Sequence, residues 1–227
     1  MTAPDWHQLG FLTPDAPDCQ REVWALAALM RSRLGDSLQS LAQLTAEPSW
    51  QSTLELQAQA AAALSEQLFE EAGEGARLSV QDDAMIRELD GALCEVIGSG
   101  HVPSLLVCGY AVLGELALVP LRLLDEVAGH YARATGSSLL DADHHRILGR
   151  LAGIAIDTKS HSAGLRRMLR HLNAQLADVH LSWRQTFHVL GVDGEQLTSA
   201  SRDTTQTALR HLGLSVTRTD LAMFRDS

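Results

Sequence analysis

Apolar residues recur with a helical period over four long stretches of this chain. In the first, Val23, Leu26, Ala27, Met30, Leu34, Leu38 and Leu41 share one face. Asp18 reads as the N-cap, with Arg21 and Glu22 in the first turn, and the helix runs to about Leu44. Ala46, Glu47 and Pro48 form a turn. Ser49 then caps a second helix from Trp50 to about Ala72, through Leu54, Ala58, Ala61, Ala62, Ser65, Leu68 and Phe69. Gly73 and Gly75 end it. A shorter helix follows from Gln81 to Ile97, with Asp82 and Asp83 favouring its N-terminus.

The third long helix is expected from Leu105 to about Thr135, where Gly136, Ser137 and Ser138 break it. The fourth starts near Leu139 and continues past His161 to Leu190, with a bend near Asn173, until Gly191 to Gly194 stop it. A last helix covers Glu195 to Leu212, and a capped tail starts at Thr219. The pattern predicts an all-α chain whose core is an antiparallel four-helix bundle of residues 18–45, 50–73, 104–135 and 139–172. Helix one pairs with two, and three with four. Residues 1–17, which hold Pro4, Pro14 and Pro17, read as an extended lead-in. Residues 18–190 form the bundle, and 191–227 a C-terminal helical extension packed on it.

Composition sharpens this. Hydrophobic content is 45% with only 4% aromatics, so Leu and Ala fill the core, as suits helices. The net charge of −10 disfavours nucleic acid and anionic lipid as partners. Cys19, Cys94 and Cys108 show no CxxC spacing, which suits a reducing compartment, and Cys94 and Cys108 read as small buried hydrophobes. The N-terminus shows no basic stretch followed by an apolar core, so a cytoplasmic protein is expected. The most apolar segment, Val102 to Leu124, carries Glu115, Arg122, Pro103 and Pro120, and reads as a buried bundle helix rather than a membrane span.

Glu115 is the lone carboxylate of that segment. It precedes Gly136 by 21 residues, and Thr158 follows Ser138 by 20. At about 1.5 Å per residue the two lie at one level of an antiparallel pair. Together, Gly114–Leu124 and Ile154–Leu165 resemble the ferritin-like superfamily, whose members outside iron storage include di-iron monooxygenases and tRNA hydroxylase-like proteins. The resemblance implies a bundle whose centre takes one glutamate from each of two helices and a Glu-x-x-His pair from each of the other two. Its ligand roles carry over onto Glu115 and His161 only. Thr158 stands where the acid of the second motif belongs. Ala62 and Ser65 stand where the first motif has its acid and histidine, and the facing residue on helix one falls at Met30 or Arg31.

A centre with two remaining ligands does not hold two irons, so no cofactor is expected. A buried Glu115 then needs another partner. The guanidinium of Arg31, His161, or both are expected to supply it, with a Thr158 hydroxyl nearby. A second register, Glu22, Glu55 and Glu115, has spacings found in the family but lacks the histidine. Asp141, Asp143, His144 and His145 read as first-turn capping and solvated residues. Glu126 and His130 form the basis of a competing surface metal site with them. His161, His171, His180 and His188 keep no common face and read mostly as surface or boundary residues. Trp183 and Phe187 read as core or interface. The function expected is a bundle that has lost its di-iron site and acts as a non-catalytic partner of another protein or of its own second copy, or as a small-molecule binder. The alternative is a metal-dependent oxidoreductase with iron or another divalent ion, in a remodelled site at Glu115 and His161.

Overall fold

The computed structural model of the chain describes residues 16–120, 122–123, 162–211 and 214. Every element among them is helical and none is a strand. Helix α1 spans Ala16–Leu44, α2 Pro48–Asp82, α3 Ala84–Gly98 and α4 Val102–Leu106. The α4 segment runs on as a π-helix, Val107–Glu115, and a 3-10 turn, Leu116–Leu118. After the undescribed stretch come α5, Ser162–Ser182, α6, Arg184–Val189, and α7, Gly194–His211. None of the described helices is long and apolar enough to cross a membrane.

Helix α1 is the centre of the described fold. Its buried residues lie nearly all round its axis, from Cys19 and Ala25 to Gly35, Ser37 and Ala42. The reason is that α2 lies along one flank while α3, α4, the π segment and α6 pack on the others. In α2 the buried residues before the kink are Leu54, Ala58, Ala61, Ser65, Leu68 and Ala72. They alternate in steps of four and three, a narrow coiled-coil seam that fits a single partner. Small residues bring the two helices close. A Cβ added to Gly35 would lie 3.2 Å from the carbonyl oxygen of Ala58.

Several expected boundaries shift. Ala16 and Pro17 already belong to α1, and Asp18 lies inside it, 3.5 Å from Arg21. Glu47, not Ser49, occupies the N-cap of α2, because Pro48 starts the helix and needs no N–H partner; Ser49 instead donates to Glu47. Gly73 ends the first straight part of α2, with φ 81° and ψ 164°, yet helix resumes beyond it to Asp82. The Arg77 guanidinium lies 5.0 Å over the Phe69 ring and spans the joint, and buried Val80 holds the second part down. Asp83 then caps α3, its Oδ1 accepting from the N–H groups of Met85 and Ile86.

A regular third helix was expected from Leu105. The structure places a π segment there, followed by the tighter turn. Pro120 has no N–H for the Leu116 carbonyl and crowds it, so a regular ladder cannot pass through this region. Gly109 lets the π segment approach α1, since a Cβ there would lie 2.7 Å from Ser37 Oγ. The same hydroxyl donates to the Leu105 carbonyl at 3.3 Å.

The continuation past His161 toward Leu190 is present, but the break falls at Trp183, with φ −94° and ψ 9°, rather than at Asn173. Gly191, with φ 92°, ends α6 in a Schellman motif. There Val192 N–H donates to Phe187 C=O at 2.9 Å and Gly191 N–H to His188 C=O at 3.0 Å. Helix α7 packs on the π segment.

Candidate functional site

The irregular third segment determines where its carboxylate sits. Glu115 closes the π segment, and its backbone leaves helical geometry at φ −121°, ψ −62°. Its side chain is only 13% exposed. Arg122 Nη2 donates to Glu115 Oε2 at 2.8 Å, and Arg122 itself is 43% exposed, so the pair lies at the edge of the core with its cation toward water. A partner for Glu115 thus lies in its own segment, where none was expected. Arg122 is seven residues on, two helical turns away. In the sequence Arg122 counts only against a membrane span. The spacing i, i+7 was the signal that could have found it.

Arg31 is buried in α1, 2% exposed. Burial first, and then the positive charge of Arg122, bring its pKa down to about 10, so it stays cationic at neutral pH. Two guanidinium groups and one carboxylate therefore share this neighbourhood. Ser65 is buried on the seam between α1 and α2, where its hydroxyl donates to the Ala28 carbonyl at 2.7 Å. Ala62 is exposed, one position past the buried Ala61, because the narrow seam of α2 turns it outward. Thr158 and His161 lie outside the described residues, as do Glu126, His130, Asp141, Asp143, His144 and His145.

The second register does not assemble. Ser79 Oγ donates to Glu22 at 3.1 Å and Gln51 Nε2 to Glu55 at 3.0 Å, so each carboxylate has a different neighbour. Cys108 is buried as expected, with its thiol pushed up to about 12 by burial and then by Cys94. Cys94 is exposed, a correction, since it faces outward on α3 beside the Arg33 to Asp90 ion pair. His180 is also corrected, being 7% exposed on the inward face of α5. Trp183 and Phe187 are core residues. Asn173 is 1% exposed, and neither end of its amide has a hydrogen-bond partner among the described residues.

Among the described residues, these groups do not fit a carboxylate-bridged di-iron centre. Ala62 offers no donor atom and faces out, the Ser65 hydroxyl is committed to a backbone carbonyl, and Arg122 holds the Glu115 carboxylate. Among the described residues no three His, Cys, Asp or Glu side chains gather as a metal-ligating group. No family model matches the sequence, and neither a curated protein nor a solved structure matches it.

Proposed function

We propose that this chain is a ferritin-like bundle whose di-iron site has been lost, acting as a non-catalytic binding partner of another protein. The observation that carries the reading is the ion pair of Glu115 with Arg122, next to the buried guanidinium of Arg31. A divalent ion brought to this carboxylate would have to displace Arg122 and would meet the charge of Arg31 in a medium of low dielectric, where like charges repel strongly. Guanidinium groups here do the neutralising that metal ions do in a di-iron bundle. The interior is thus built for a fixed ion pair rather than for ligand exchange at a metal.

Metal analysis of protein expressed with added iron tests this. Less than about one equivalent of iron per chain is expected, since too few ligands remain for two irons. Two irons per chain, lost on Glu115→Ala, would overturn the reading in favour of a metal-dependent oxidoreductase built on Glu115 and His161.

A further inference from the structure

The junction between α5 and α6 joins a buried imidazole to the contacts that hold the last two helices in place. His180, in the last turn of α5, meets the Phe187 ring of α6 edge-on, centroids 6.1 Å apart at 84°. Phe187 is 1% exposed and lies 6.5 Å from the Trp183 ring at the helix break. The Trp183 indole N–H donates to Asp83 Oδ2 at 3.0 Å, which ties the break to the start of α3. The Schellman turn at Gly191 then folds buried Val192 back onto the end of α6. Helix α6 in turn packs on α1, and α7 on the π segment.

We propose that this junction is an acid-released latch: charging the His180 imidazole frees α6 and α7 from α1 and the π segment while the α1–α2 hairpin stays folded. The elements packed on α5 bring known ionisable groups. From α3 come Arg87, Glu88, Asp90, Cys94 and Glu95, with Asp83 at its cap. The π segment brings Cys108 and Glu115, α6 brings Arg184 and His188, and α4 brings none. Among the described residues none of these charges contributes to the state of His180. Burial alone holds it neutral and lowers its pKa from 6.5 to about 4. An imidazole with a depressed pKa in the closed form favours closure above the open-form pKa of about 6.5, and that preference is lost as the pH falls toward the closed-form value.

Hydrogen exchange read by mass spectrometry, as protection factors at about pH 7 and about pH 5, tests the latch. In the full chain, residues 184–211 should lose at least about tenfold more protection on acidification than residues 16–72. His180→Phe keeps an aromatic ring but cannot be charged, and should remove that difference. Asp83→Asn should retain it. If His180→Phe does not fold, an NMR titration of the imidazole in the unmodified chain takes its place, and its midpoint should coincide with the loss of protection. Parallel loss in both regions, an undiminished local loss in His180→Phe, or an imidazole that titrates while 184–211 stays protected would each overturn the proposal.

Discussion

Single side chains with two partners stand out in this fold. Asp83 uses one carboxylate oxygen to cap α3 and the other to hold the Trp183 indole, a hundred residues away in sequence. Removing both functions in Asp83→Ala should cost about 2–3 kcal/mol, the sum of a lost cap and a lost hydrogen bond to a charged group. Asp83→Asn should recover most of it. Urea denaturation of the two variants measures the difference, and equal stabilities would mean that the carboxylate is solvated. That acids mark the start of α3 was legible in the sequence, but the helix was expected from Gln81, three residues before its start at Ala84, so Asp83 was placed in the first turn rather than at the cap. The bond to Trp183 was not legible, since nothing local connects residues so far apart. Glu115 presents a different case. Its need for a partner was legible from the apolar run around it, and Arg122, in the same segment, supplies one; the i, i+7 spacing is visible in the sequence, while His161 lies outside the described residues.

At the scale of elements, helices were read well where one periodic face met one neighbour. The end of α1, the straight part of α2 up to Gly73, and the extent of α7 follow from apolar spacing and glycine positions. The third segment was misread because an apolar run has the same appearance in α, π and 3-10 geometry; only Gly109 and Pro120 hinted at irregularity. Gly73 was read as an end and is a joint instead. Its left-handed φ of 81° suits glycine, and the space around it is open, so Gly73→Ala tests backbone conformation alone. A loss of about 1–2 kcal/mol is expected in thermal unfolding, and any gain would show that the kink relaxes into continuous helix.

For the whole molecule, the described helices are organised around α1. Its buried face reaches nearly all round, so the sequence pattern of α1 alone resembled one side of a bundle while the structure uses every side. Ala62 illustrates the consequence for the candidate site. A bundle model placed it inward because it neighbours Ala61 and Ser65 in a run of small residues. The seam of α2 is too narrow to include it. Where small residues fill consecutive positions, periodicity loses its phase, and the inward set cannot be told from the outward one. The buried polar residues of α5 were likewise hidden, because His180 and Asn173 carry no apolar signal.

That seam has a further consequence for how freely the sequence can drift. On α2 one narrow stripe meets a neighbour, so a systematic substitution scan should trace a comb. Charged replacements at Leu54, Ala58, Ala61, Ser65, Leu68 and Ala72 should abolish folding, while those at the exposed positions between them should change stability by about 0.5 kcal/mol or less. On α1 the comb should close into a continuous band of intolerance. Homologous chains would then keep α1 nearly unchanged and vary freely along the outside of α2, where any adaptation to a new partner would meet the least resistance.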